Sequence, residues 1–258
     1  VLHEDRVRAE SFGADPDRYD RARPGYPARL IDDLLEGRTR ADVLDIGSGT
    51  GIVSRLFVDR GCSVIGVEPD PRMARRARAH GLVVEEAHIE EWAPAGRSFD
   101  LVVCGQAWHW VEPRAATATV ASVLRSGGRV GIFWNQGAYA PGVRRAFDEL
   151  YRRLAPGLEG YSILLANAVD DRVAAAQRAL SAGPRLGPAE ISTYRWTRSY
   201  STGQWLDQLL THSDHRTLPA ERLEAVLDAV GAVIDGRGGH LVVAYTTWLV
   251  SARSAPEA

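Results

Sequence analysis

Glycines at every second position mark the part of this 258-residue chain best suited to hold a ligand. In Val43-Leu-Asp-Ile-Gly-Ser-Gly-Thr-Gly51 an apolar run passes straight into glycines 47, 49 and 51. Glycine tolerates positive φ, and its missing Cβ lets a ligand lie against the backbone. Asp45, at the end of the apolar run, can accept from loop amides or from a ligand's ammonium group. Glu68 lies 19 residues beyond Gly49, in Val64-Ile-Gly-Val-Glu-Pro-Asp70. An acid at that distance is placed to accept from both hydroxyls of a ribose, and its charge repels a 2′-phosphate. The dinucleotide pattern Gly-x-Gly-x-x-Gly needs a third glycine where this chain has Ile52, so that loop fails and a Gly-x-Gly-x-Gly form fits instead. No Lys-Ser/Thr pair follows, which excludes a triphosphate P-loop. Asp70, just ahead of Pro71, reads as a helix cap.

The elements that position these residues follow from periodicity and punctuation. A helix end at Leu30 to Leu35 is stopped by Gly37, and Ala41 to Ile46 is a short buried strand. Ile52 to Arg60 reads as a helix closed by Gly61, Ser63 to Val67 as a strand, and Pro71 to His80 as a helix with Gly81 just past its end. A third strand starts at Val83-Val84. A fourth runs Phe99 to Cys104 and a fifth Arg129 to Trp134, joined by a helix over Arg114 to Leu124. Such alternation implies a parallel sheet with helices on both faces, and ligands outside the carboxyl ends of the strands. Further on, helices are expected over Val143 to Leu154, Asp170 to Leu180, Gln204 to Leu210 and Pro219 to Ile234. Glu190 to Tyr200 and His240 to Val250 read as strands, and Ser251 to Ala258 as a frayed tail.

Composition narrows the class. The chain is 45% hydrophobic and 25% charged, enough for a sizeable core. Its 31 basic residues, all arginine, face 33 acidic ones, a balance that argues against a nucleic-acid surface. Two cysteines, 62 and 104, lie in no metal-type cluster, which points away from disulfides and toward a reducing, cytoplasmic setting. The charged start has no apolar leader, and no run reaches the ~20 apolar residues that span a bilayer. No membrane partner is expected.

Val43 to Gly51, Glu68, the Ser98-Phe-Asp-Leu-Val-Val strand and Leu124-Arg-Ser-Gly-Gly-Arg-Val resemble the successive motifs of class I S-adenosylmethionine-dependent methyltransferases. Phe12-Gly13, Tyr19-Asp-Arg-Ala-Arg-Pro-Gly-Tyr-Pro27, Gln106-Ala-Trp-His-Trp110 and Trp134-Asn135 are similar to a small-molecule branch that includes trans-aconitate-type enzymes. The resemblance covers about residues 11 to 136 well and the remainder loosely. It implies an α/β Rossmann-like fold with a mostly parallel seven-stranded sheet flanked by helices and a helical cap. Residues 1–40 would form an N-terminal helical lid and 41–138 the cofactor-binding core. Residues 139–250 would add the last two strands with helical cap insertions, and 251–258 the tail.

Carried over by position, the resemblance implies S-adenosylmethionine as cofactor and S-adenosylhomocysteine as product. Asp45, Gly47, Ser48, Gly49, Gly51, Glu68 and Pro69 would hold it. Ala87-His-Ile-Glu90 matches the adenine clasp, with His88 and Glu90 beside the Ile89 amide; family members often have Asp where this chain has His88. Gln106 would lie near the methionine part. Tyr19 and Arg23 would reach the cofactor from the lid, Arg23 toward its carboxylate. Tyr26, Trp108, Trp110, Trp134, Asn135 and Tyr139 are the candidates for an acceptor pocket, with at least one of Trp108 and Trp110 expected in the core.

Methyl transfer from a sulfonium is an in-line displacement, so alignment and exclusion of water carry most of the catalysis, about 7–11 kcal/mol. A base adds perhaps 10²–10⁴-fold when the nucleophile has a proton to lose. His109 is the candidate catalytic residue, either as that base or as a group that orients the loop or binds a carboxylate. The Asn/Asp-Pro-Pro-aromatic run of base amino-methyltransferases is absent after the fourth strand, as are a Pro-Cys nucleophile and a metal set. A small-molecule acceptor, methylated on a hydroxyl or carboxylate oxygen by a monomer or homodimer, is therefore expected. N- or C-methylation, or cofactor binding without transfer, are the alternatives.

Overall fold

The computed structural model describes residues 11–158 and 161–256; the charged start at residues 1–10 lies outside them. The strands are β1 (Asp42–Ile46), β2 (Ser63–Val67), β3 (Val83–Glu85), β4 (Phe99–Gly105), β5 (Leu124–Tyr139), β6 (Glu190–Ser201) and β7 (His240–Arg253). They form one sheet in the order β3-β2-β1-β4-β5-β7-β6. β3, β2, β1, β4 and β5 are parallel. β7 is antiparallel to both β5 and β6, so β6 runs with the parallel set. Strand order reverses between β1 and β4, and the crevice outside their carboxyl ends is where this topology holds a ligand.

The helices are α1 (Pro16–Ala22), α2 (Ala28–Leu35), α3 (Ile52–Val58), α4 (Pro71–Ala79), α5 (Pro113–Val123), α6 (Pro141–Leu154), α7 (Tyr161–Ser181), α8 (Thr202–Leu209), α9 (Ser213–Arg216) and α10 (Ala220–Asp235). α1, α4, α5 and α6 open on proline, whose missing N–H would be unpaired there anyway. Asp70 caps α4 by accepting from the Arg72 amide at 2.8 Å, as its place before Pro71 predicts.

Alternation along the strands splits the core. Leu44, Ile46, Val102, Cys104, Ile132 and Trp134 bury on one face of the sheet. Val43, Leu101, Val103 and Phe133 bury on the other, against Leu30 and Leu34 of α2 and Phe57 of α3. A third cluster, with Phe147, Leu150, Tyr151, Tyr200, Trp205 and Val230, welds α6, α8 and α10 to the far ends of β6 and β7 and forms the cap.

Three elements depart from expectation. β5 begins at Leu124, which pairs with Phe99 ahead of a register shift, and continues to Tyr139 against Val243. Glycines 127 and 128 conceal that strand in the sequence, since glycine carries no strand preference. The helix expected from Asp170 starts nine residues earlier, at Tyr161. The first part of the expected tail is instead sheet: β7 runs to Arg253, and Ser254 bridges Leu186.

Candidate functional site

Glycines 47, 49 and 51 adopt φ of 65°, 57° and 84°, a region that side chains disfavour. A Cβ on Gly47 would stand 2.4 Å from that of Ala107, and one on Gly51 would stand 2.1 Å from Leu82. The loop therefore packs closely against the segment after β4 and the start of β3, which a side chain at either position would prevent. The amides of Gly47 and Ser48 both donate to the Val67 carbonyl, which fastens the loop to the end of β2.

Two carboxylates are buried at this crevice. Asp45 accepts from the Ser54 hydroxyl at 2.6 Å through Oδ2, while its Oδ1 is buried with no partner. Burial pushes its pKa up to about 7; the Ser54 hydrogen bond pulls the other way and the Glu68 charge adds to the rise. Glu68 accepts from the Gly49 amide at 2.8 Å and the Asp70 amide at 2.9 Å. Burial raises it to about 7 as well, against those two amides and with the help of the Asp70 charge. Each carboxylate oxygen of Glu68 has a second lone pair for a diol. The Ser48 hydroxyl is likewise buried and unpartnered. An orphaned buried polar atom costs about 1–3 kcal/mol. Two of them in one cradle fit a polar ligand that supplies their partners, which the ammonium and ribose of S-adenosylmethionine would do.

The opposite wall is the end of β4. Gln106 holds φ of 60°, rare for a residue with a side chain, and its amide donates to the Phe133 carbonyl at 2.9 Å. Such strain clusters at ligand-binding positions. Tyr26 packs edge-on to Phe133 at 4.8 Å. Its hydroxyl would stand 3.0 Å from a Cβ on Gly105, at the end of β4, and burial lifts the phenol well above the usual range, with Tyr19 and Asp45 adding to the rise. Pro69 is exposed beside Glu68, and His88 and Glu90 flank the buried Ile89 after β3. Glu90 accepts from the Glu112 amide at 2.6 Å, which ties the turn after β3 to the start of α5.

Several expected pocket residues do other work. Trp134 is fully buried, and its indole N–H donates to His109 Nδ1 at 3.3 Å; it is a core residue that orients His109. Trp108 is also core, at 3% exposure, whereas Trp110 is half-buried against the His109 ring. Asn135 uses both ends of its amide, donating to the Gly25 carbonyl at 2.9 Å and accepting from Thr247 at 2.6 Å, so it braces the N-terminal segment. Tyr139 packs edge-on against Phe147 and Trp205 in the cap. Arg23 lies over the Tyr19 ring and donates to the Thr211 carbonyl at 2.9 Å, linking α1 to the cap. The polar stretch from Thr211 ends in the short helix α9, where buried His215 meets the Tyr151 hydroxyl at 2.7 Å.

Asp20 was not among the expected site residues. From α1 it accepts from Thr50 of the glycine loop at 3.0 Å, Arg55 at 2.7 Å and Arg76 at 3.3 Å, and it meets His80 Nε2 at 2.8 Å. Burial would raise its pKa, but the Arg55 and His80 contacts outweigh it and hold the carboxyl low. Nothing in the spacing marks it, because its partners come from three other segments.

Fold and cradle together define a class I, Rossmann-like methyltransferase architecture. The chain belongs to the methyltransferase domain family, whose match spans residues 19–234. It is 44% identical over 127 residues to an uncharacterised methyltransferase of Mycobacterium tuberculosis, covering 48% of this chain and 52% of that protein. It is 30% identical over 116 residues to the ubiquinone biosynthesis O-methyltransferase of Idiomarina loihiensis, covering 40% and 47%. These matches span about half the length of each relative. A solved structure of a proposed type II methyltransferase from Anaeromyxobacter dehalogenans shares the fold, with a TM-score of 0.65 at 23% identity over 91% of this chain and 99% of that one. Among the described residues, no helix is long and apolar enough to cross a membrane, and no three potential metal ligands cluster.

Proposed function

We propose that the protein transfers a methyl group from S-adenosylmethionine to an oxygen of a small-molecule acceptor, in the cytoplasm. The observation that carries this reading is the buried, incompletely partnered Asp45 beside Glu68 on a glycine cradle. Asp45 and Ser48 would take the methionine end, Glu68 the ribose, and the turn at His88 to Glu90 the adenine. When bound, S-adenosylmethionine supplies a methyl already attached to a good leaving group. The chain's part is then alignment. Gln106 and Tyr26 wall the crevice, and Asp20 locks α1 onto the glycine loop to keep water out.

His109 accepts at Nδ1 from Trp134, and an indole can only donate. Its neutral ring therefore carries the proton at Nε2, which makes that nitrogen a donor and argues against the ring as the group that removes a proton. The ubiquinone biosynthesis relative is named for O-methylation, and this supports oxygen as the nucleophile here.

Calorimetric titration of S-adenosylmethionine, S-adenosylhomocysteine and NAD into wild type and Glu68→Ala tests the reading. Binding of the first two, weakened at least about tenfold in the variant, is expected. Preference for NAD, or no binding of either methyl-cycle ligand, would overturn it.

A further inference from the structure

We propose that Arg198, with the Tyr200–Tyr245 phenol pair, anchors a carboxylate of the methyl acceptor, at a point remote from the oxygen that is methylated. This rests on the methyltransferase reading above and names the class of acceptor: an anionic small molecule.

β6 runs with the parallel strands, so its carboxyl end shares the crevice edge of the sheet. Arg198 lies there, half-buried on the inward face between Trp196 and Tyr200. Its guanidinium lies over the Tyr200 ring at 4.7 Å and donates to the Arg23 carbonyl at 3.4 Å. Among the described residues no carboxylate pairs with it. Neighbouring arginines differ: Arg18 and Arg21 reach Asp207, and Arg55 and Arg76 reach Asp20. A half-buried guanidinium without an acid is unusual, since such cations are paired when withdrawn from water.

The groups around it are rich in donors. Tyr200 and Tyr245 hydroxyls lie 2.8 Å apart, so of their two protons one is used between them and one is left over. Gln208 is buried, reaches Tyr245, and has its Oε1 without a partner. Turning that amide would let its oxygen take the spare phenol proton, but would leave its N–H₂ unpaired in exchange. Either way a donor remains at the phenol pair, and the charges of both Arg198 and Arg23 are felt at Tyr245. An acceptor-only anion satisfies this set, and guanidinium–carboxylate geometry suits it.

The anchored group is not the one methylated. Arg198 pairs across the sheet with Val243, which also faces Tyr139, well past the Phe133–Gly105 pair that ends β4. Hydrogen bonds from a guanidinium also occupy the lone pairs that a nucleophile needs.

The test is a titration of 3-phenylpropionate and of its uncharged amide into protein saturated with S-adenosylhomocysteine. The readouts are binding and the Arg198 Nε resonance, in wild type, Arg198→Lys and Arg198→Ala. The acid is expected to move the Arg198 resonance saturably and to bind about tenfold tighter than the amide. That preference should be reduced in Arg198→Lys and lost in Arg198→Ala, with S-adenosylhomocysteine affinity unchanged. Equal binding of acid and amide, an unmoved Arg198 resonance, or a preference that survives Arg198→Ala would overturn the proposal. Should Arg198→Ala not fold, the wild-type resonance and the lysine variant decide. Failure of wild type to bind S-adenosylhomocysteine would instead count against the methyltransferase reading.

Discussion

Asp45 and Glu68 are two carboxylates withdrawn from water at one crevice, and their environments divide the work between them. Glu68 is held by two amides, so its orientation is fixed before any ligand arrives. Asp45 is fixed at one oxygen only and has the other to give. Glu68→Gln keeps the shape but puts an N–H₂ where an amide N–H now points, and two donors facing each other repel. S-adenosylhomocysteine affinity is expected to fall about tenfold or more, read by calorimetry. His109→Gln tests the neighbouring question. If the ring orients the acceptor as a donor, kcat falls without loss of an acid limb in the pH–rate profile. Disappearance of a limb near neutral pH would show that His109 is a base after all.

At the scale of elements, the cradle is a joint between α1, the glycine loop and the helices that follow it. Asp20 closes that joint from α1, with its side chain only 8% exposed. Removing it leaves Arg55 without its acid and Arg76 with Asp17 alone. Because both are about a third exposed, the loss is expected to be modest, about 1–3 kcal/mol, seen as a lowered Tm. Asp20→Ala should also weaken S-adenosylhomocysteine, since Thr50 would no longer be tied to α1. Gly47→Ala is expected to do more harm to binding than any surface change in the same loop. It combines a φ of 65° with a contact of 2.4 Å to Ala107, and its readout is the same titration.

The sequence made much of this joint legible and left the rest hidden, for a physical reason. Glycines and acids bound to one loop, as at Gly47 to Gly51 and Glu68, carry their geometry in local spacing. Asp20, Arg198 and Tyr245 act through partners far along the chain, and no local pattern records such meetings. Trp134 and Asn135 show the converse. Their position after a strand resembles a pocket wall, yet alternation turns Trp134 into the core and packing uses up both ends of Asn135.

Over the whole molecule, the crevice and the cap respond to acid in opposite directions. Asp45 and Glu68 have folded pKa values of about 7, above their ordinary 3.8 and 4.5. Their contribution to the stability of the ligand-free fold is present in full below the ordinary values and is lost as pH rises through 7. His215 is depressed by burial from 6.5 to about 4, and burial with the nearby charge of Arg23 lowers His212 too. The cap's contribution is therefore present above pH 6.5 and lost as pH falls toward 4, about 3 kcal/mol for His215 alone. In the ligand-free protein these trends offset each other, and Tm should change little between about pH 7 and 5. A ligand that needs Asp45 and Glu68 ionised must displace their protons, so its affinity falls by up to about tenfold per pH unit below 7 for each of the two groups. The rise in Tm given by S-adenosylhomocysteine should accordingly shrink as pH drops from about 8 to 5. Replacing both members of the cap pair, Tyr151→Phe with His215→Leu, removes the histidine without stranding its partner. In that double variant the ligand-free Tm should rise on acidification, because only His212 then opposes the two carboxylates. A ligand-free Tm that falls in acid in both proteins would show that the crevice carboxylates are ordinary acids, ionised before any ligand binds.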